Sequence, residues 1–208
     1  ITLIGRGAKK PVHKWKHWQT RRQTLNEFRN LPWKGYGDVV VVGIGVINGS
    51  GGIRFFDLDA HKGEAAVAIP EEMVDKVLLA MGLPKEYEWV YQSGGTKGWG
   101  IMFRCLEEIP ADTLTASDKE PGVFWGDPLE HGPLHHLELR YSTGQTIVPP
   151  SEHESGNAYI WRWGDPTGKE MATVTIDAVL KGFHAIARPR RRTIAADTID
   201  TKTKSTID

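Results

Sequence analysis

Residues 53–59 read IRFFDLD, an apolar run that ends in two carboxylates, Asp57 and Asp59, one leucine apart. In an extended strand side chains alternate between the two faces, so Asp57 and Asp59 point the same way, a few Å from each other. Like charges held that close repel, and one of the pair takes up a proton unless a cation lies beside it. Two arrangements satisfy the pattern. Either the strand closes in a turn, where aspartates cap nearby backbone groups, or the chain brings a positive charge to the face they share.

At 208 residues the chain is long enough for one domain, or one domain of two lobes, with a sizeable core. Its 39% apolar and 25% charged residues match a soluble globular protein, and the absence of any apolar run of ~18 residues argues against a membrane span. The single Cys105 excludes an internal disulfide and a Cys-rich zinc site. With no visible signal peptide, it fits a reducing, cytoplasmic compartment. A first residue of Ile rather than Met suggests a fragment or a processed chain.

The formal net charge of zero argues against a protein that grips polyanions over its whole surface, but the charges are unevenly spread. Residues 6–34 carry Arg6, Lys9, Lys10, Lys14, Lys16, Arg21, Arg22, Arg29 and Lys34 against Glu27 alone, with Trp15, Trp18 and Trp33 between them. Lys14, Lys16, Arg21 and Arg22 are the candidates for nucleic-acid phosphates, since a local basic patch acts even when the total is neutral. The alternative is a solvated surface over tryptophans in the core. A second basic cluster, Arg188 and Arg190–Arg192, lies near the end.

Thr24 and Glu27 form a capping-box pattern, which predicts a helix over 24–30 that stops before Pro32. The β-branched run at 38–47, interrupted by Gly43 and Gly45, reads as a strand. The NGSGG turn at 48–52 then predicts a hairpin with the strand that bears Asp57 and Asp59. Pro70, Glu71, Glu72 and Gly82 bound a helix whose buried stripe is Val74, Val77, Leu78 and Met81. Strands are expected at 87–91, 99–105, 134–140, 145–149 and 158–163, and a short amphipathic helix at 175–186. Trp161 and Trp163 share one strand face, as core rather than a stacking platform. From 193 the chain has no apolar face and reads as a flexible tail or linker, leaving 1–192 as the folded domain. Strands outnumber helices and are joined by short turns, which makes the fold α+β with a mixed or antiparallel sheet and flanking helices.

Two further polar sites accompany the aspartates. SGGTKGWG at 93–100 is a glycine-rich loop that can offer successive backbone N–H groups to an anion, reinforced by Ser93 and Lys97. It lacks the Walker spacing, so it is no P-loop. In HLELR at 136–140, Glu138 is an acid on an otherwise apolar strand and needs a partner, either Arg140 on the same face or a metal. If its strand lies beside that of Asp57, three carboxylates meet in a hard, oxygen-rich site suited to Mg²⁺ or Mn²⁺. Next to a loop that holds a triphosphate, the fitting chemistry is nucleotidyl transfer with two metal ions roughly 3.5–4 Å apart. His135 and His136 are consecutive in a strand and point opposite ways, which disfavours a shared zinc ion.

The order of Asp-x-Asp, Ser-Gly-rich loop, then an acid followed by Pro-Pro-Ser resembles the primase–polymerase (Prim-Pol) domain of the archaeo-eukaryotic primase superfamily. The resemblance runs through KKPVHKWKHWQTRR at 9–22, GIGVINGSGGIRFFDLD at 43–59 and YQSGGTKGWGIMF at 91–103, and is most specific at LELRYSTGQTIVPPSEHESGNAYIW, 137–161. It implies an RRM-like core with an N-terminal α/β module, and a DNA primase/polymerase using two Mg²⁺ or Mn²⁺ ions with dNTPs or NTPs on a single-stranded template and primer. Such domains often belong to plasmid, phage or mobile-element replication proteins that carry a helicase. Asp57, Asp59 and Glu138 correspond to the metal ligands, with Glu where many members have Asp. Ser93, Gly94, Gly95 and Lys97 correspond to triphosphate contacts, Arg140 to a phosphate or base-pair contact or a counter-charge for Glu138, and His153 to a nucleotide contact or a loop support. The family's second motif has a His where this chain has Gly100, so Lys97 or another cation takes its place or the motif is altered. Two alternatives stand beside this reading: a metal-dependent nuclease, and a catalytically weakened single-strand-binding module of the same fold.

Overall fold

A computed structural model of the chain describes residues 1–6, 9–35, 37–60, 67–95, 97–109, 114, 122–128 and 135–189. Strand β1 (Thr2–Gly5), too short to stand out in the sequence, pairs antiparallel with β2 (Val41–Ile47). Between them lies α1 (Leu25–Arg29) with its predicted capping box: Glu27 N–H donates to Thr24 Oγ1 at 3.2 Å and Thr24 N–H to Glu27 Oε2 at 2.8 Å. The pair satisfies donors that a helix start leaves open. Trp18 is buried beneath this module, while Trp33 is exposed.

The chain then turns at Gly49, Gly51 and Gly52, whose φ angles of 82°, 62° and 79° suit a residue without a β-carbon. This turn leads into β3 (Ile53–Ala60) but makes no hairpin. The expected pairing of residues 38–47 with 53–59 does not form. β2 stays in a three-stranded sheet, β1-β2-β8, with β8 (Gln145–Val148), while β3 enters the middle of a second sheet. The glycines swing the chain from one sheet to the other, and both edges of β3 are taken by β5 (Trp99–Arg104) and β7 (His135–Arg140).

That second sheet runs β10-β6-β7-β3-β5-β4-β9, where β4 is Val90–Gln92, β6 Val123–Pro128, β9 Ile160–Trp161 and β10 Ala187–Pro189. Every pairing between these strands is antiparallel. β4 begins later than the predicted 87–91 because Tyr87 turns inward, its hydroxyl donating to Met102 O at 2.8 Å. Only two residues of 158–163 are strand, and Trp163 is 50% exposed, so it is not the core residue expected. Trp161 does pack inward, edge-on to Trp89 and Tyr91. Residues 193–208 and Arg190–Arg192 lie outside the described residues.

The two faces of β3 have different jobs. Phe56 and Leu58, with Ile101, Phe103, Leu137 and Leu139, pack against α2 (Glu71–Ala80) and α3 (Ile176–Ile186). The stripe Met73, Val74, Val77 and Leu78 on α2 is almost fully buried, each side chain contributing about 1.5–3 kcal/mol of apolar burial. The opposite face begins with Phe55, which joins Val46, Val148, Met102 and Tyr91 in a smaller core between the sheets. Two and four residues further along that same face stand Asp57 and Asp59. Among the described residues no helix is long and apolar enough to cross a membrane.

Candidate active site

The register sets the site. Asp57 lies directly opposite Glu138 on β7 and opposite Gly100 on β5, and Asp59 lies opposite His136. Because cross-strand partners share a face, Asp57, Asp59, Glu138, His136 and Arg140 all project toward the space between the sheets. There a cleft of about 660 Å³ is lined by Asp57, Asp59, Ser93, Gly95, Lys97, Arg140 and His153. Gln145, Thr146 and Ile147 of β8 and Lys9 of the N-terminal segment supply its other wall. Seven of the predicted residues are thus brought together, while Glu138, Gly94 and Gly100 lie just behind the lining.

Charge is balanced inside this site. Arg140 Nε donates to Asp57 Oδ2 at 3.1 Å, and its Nη2 forms an ion pair with Glu138 Oε2. The other Glu138 oxygen faces His136 Nε2 at 3.3 Å, and the His136 ring stacks on Trp125 with centroids 5.3 Å apart. Of the two partners anticipated for Glu138, Arg140 or a metal ion, Arg140 is in contact, and His136 joins it. Burial works against the Glu138 carboxylate, but His136 and Arg140 outweigh it and hold its pKa below the usual range. Burial also opposes a charged His136, yet its bond to Glu138 and the nearby aspartates raise its pKa. Asp57 behaves oppositely: burial pushes it up to about 6, Arg140 opposes the rise, and the charges of Glu138 and Asp59 add to it. Burial is thus the main cause of the Asp57 shift, and the paired charge of Asp59 is a lesser one. His135 points to the other face, its Nε2 lying 2.7 Å from Val67 O.

The glycine loop is shaped by its neighbours. Ser93 N–H donates to Gly98 O at 3.0 Å, and Ser155 Oγ donates to Gly94 O at 3.1 Å. A β-carbon on Gly94 would run into His153, so loop 93–98 and the segment around His153 form one wall. Thr96 lies outside the described residues. At Gly100 a β-carbon would collide with the ring of Tyr91. The tyrosine fills the space that a side chain at 100 would need, and Lys97 is the cation of this loop that lines the cleft.

Tyr91, Tyr159, Lys9 and His136 were not among the predicted site residues. Burial, then the charge of Asp57 and the neighbouring Tyr159, hold the Tyr91 phenol well above its ordinary pKa, with Arg140 opposing. Burial and the charges of Asp57 and Asp59 push Tyr159 up to about 12. Nothing local marks these tyrosines, since only the strand register carries them to the acids. Of the basic candidates, Lys14 and Lys16 line a separate groove of about 560 Å³ with His13, Trp15 and His17. Arg21 is engaged with Glu27, its Nη1 donating to Oε2 at 2.8 Å, and both Arg21 and Arg22 stand outside that groove.

Three carboxylates at adjoining register positions have the oxygen chemistry that Mg²⁺ or Mn²⁺ prefers. Among the described residues, however, no group of three or more His, Cys, Asp or Glu is gathered closely enough to hold a metal ion. The guanidinium of Arg140 stands as a cation between Asp57 and Glu138. The oxygen donors are of the kind such an ion takes, and as they stand two of them are paired with Arg140.

Antiparallel sheets, a few flanking helices and a charged cleft between the sheets define an α+β domain built around one polar strand face. A family model described as Prim-Pol, bifunctional DNA primase/polymerase, N-terminal, matches residues 1–197, and the chain belongs to this family. Comparison with curated proteins gives no match.

Proposed function

We propose that the domain catalyses template-dependent nucleotidyl transfer, in which the 3′-hydroxyl of a growing strand attacks the α-phosphorus of a nucleoside triphosphate and pyrophosphate leaves. One observation carries this reading: the register sets Asp57 against Glu138, at a cleft whose facing loop bears Ser93 and Lys97. Two Mg²⁺ or Mn²⁺ ions, held by Asp57, Asp59 and Glu138, would make the 3′-hydroxyl more acidic and offset the charge of the leaving pyrophosphate. The backbone of Gly94 and Gly95, the Ser93 hydroxyl and Lys97 meet the triphosphate as a nest of donors. Arg140, on β7, and His153, in the loop after β8, line the same cleft. Gly100 contributes no side chain, and its room is given to Tyr91.

Lys14 and Lys16, beside Trp15 and His13, suit a single-stranded template, with cations for phosphates and rings for bases. Arg21 and Arg22 add positive charge nearby. The natural partners are then a template, a primer and, in a longer replication protein of a plasmid, phage or mobile element, a helicase, all in the cytoplasm.

The test is an incorporation assay with Mn²⁺ that compares dNTPs with NTPs, with and without a primer. Extension with pyrophosphate release is expected, and Asp57→Ala or Asp59→Ala should abolish it; extension that survives both substitutions refutes the assignment. Strand cleavage without added triphosphate would establish a nuclease instead. A second reading, a binding module without catalysis, is favoured by Gly100 and by the Arg140 bridge between the acids. It predicts metal-independent single-strand binding and no incorporation.

A further inference from the structure

Glu138 is gripped on both oxygens, by two groups of different character. His136 is buried, stacked on Trp125 and set within β7, so its contact with Oε1 is fixed by the packing around it. Arg140 holds Oε2 and also Asp57, yet its side chain is 22% exposed and lines the cleft, so it can leave the acids without disturbing the strand. Its backbone is anchored between Phe55 of β3 and Val123 of β6, which confines any movement to the side chain.

We propose that Arg140 is the resident cation of this site: it bridges Asp57 and Glu138 until a divalent ion displaces it, and the displaced guanidinium then turns within the cleft to the phosphates of the nucleotide. The idea rests on the reading that these acids bind metal, and it accounts for why they are not gathered into a metal-binding group as they stand. One displacement then serves two ends. It clears the acids for the ion, and it commits a cation to the substrate, so metal and triphosphate favour each other's binding. Arg140 acts here as a positioning residue for the acids, with His136 as the fixed half of the clamp. A site of this kind also excludes metal when no substrate can accept the arginine, since a competent state that is seldom populated lowers the apparent affinity by its population.

The experiment titrates the metal-stripped full chain with MnCl₂ by calorimetry, in the wild type, Arg140→Lys, Arg140→Gln and Asp57→Asn, with far-UV circular dichroism as the check of folding. If the bridged state holds about nine-tenths of the molecules, removing it tightens Mn²⁺ binding on the order of tenfold. Arg140→Lys is the decisive variant, because lysine keeps the charge but lacks the fork that spans two carboxylates. Expected are tighter Mn²⁺ binding in both Arg140 variants and a lower melting temperature of Arg140→Lys in chelator that recovers with Mn²⁺. An Arg140→Lys affinity equal to the wild type leaves only a charge effect and overturns the bridge, as does weaker binding in Arg140→Gln. Should Arg140→Gln fail to fold, the lysine variant decides alone. Wild-type Mn²⁺ binding that is absent, or unchanged in Asp57→Asn, removes the metal reading itself and this proposal with it.

Discussion

At the scale of single residues the site is a balance of charge and space. The folded state raises the Asp57 pKa to about 6, so in metal-free protein it favours the protonated form. The stability that this preference contributes is fully present below the unfolded value of a carboxylate and is lost as pH rises through about 6. In chelator, the advantage of wild type over Asp57→Asn should therefore shrink by about 1–2 kcal/mol between pH 4 and 7, after allowing for partial exposure. Urea unfolding at a series of pH values measures it; an advantage that grows with pH would mean that Arg140 governs Asp57 more than burial does. Space is as tightly allotted at Gly100. A methyl group there meets the Tyr91 ring, so Gly100→Ala should cost about 1–3 kcal/mol. In a Tyr91→Ala background the same change should cost much less, and a double-mutant cycle that proves additive would contradict the contact. The acids were legible in the sequence because strand alternation is local. The tyrosine was not, because residues 91 and 100 meet only through the pairing of β4 with β5.

Elements read well where their determinants are local. The capping box of α1, the Pro70 and Gly82 limits of α2, and its buried stripe all depend on residues within a turn or two. The Thr175 cap of α3 is of the same kind, accepting from Ala178 N–H at 3.3 Å. Strand pairing is a choice among distant partners, and there the reading failed: NGSGG has the composition of a hairpin turn but serves as a corner between two sheets. β6 also escaped notice, because VFWGDP shows neither clear alternation nor a β-branched run. The corner makes its own prediction. Gly52, at φ 79°, would carry a β-carbon 2.6 Å from Leu106 Cδ2 and 3.0 Å from Cys105 O, so Gly52→Ala combines left-handed strain with crowding. A loss of roughly 1–3 kcal/mol is expected. Thermal unfolding measures it, and an unchanged melting temperature would show that the corner tolerates a different path.

For the whole molecule, the proposed function depends on the face of the large sheet that its helices leave uncovered. α2 and α3 cover one side of that sheet, and the small sheet covers only part of the other, through Phe55, Val46 and Val148. The acids continue the uncovered half, which is why the cleft opens there. The N-terminal segment, through Lys9, joins Gln145 of β8 in closing one wall, and it presents the groove of Lys14 and Lys16 on its own surface. On the proposed reading, a template strand in that groove would be held by two exposed lysines beside rings, whereas Arg21 already satisfies Glu27. Each cation that neutralises a single-strand phosphate contributes about 0.7 to the slope of log affinity against log salt. The variant Lys14→Ala/Lys16→Ala should therefore weaken single-strand binding and flatten that slope by about 1.4, while Arg21→Ala leaves it nearly unchanged. Fluorescence anisotropy over a salt series tests this, with an oligonucleotide without secondary structure as the probe. A slope that the lysine pair leaves intact would place the template on another surface and detach the basic N-terminal stretch from the chemistry of the cleft.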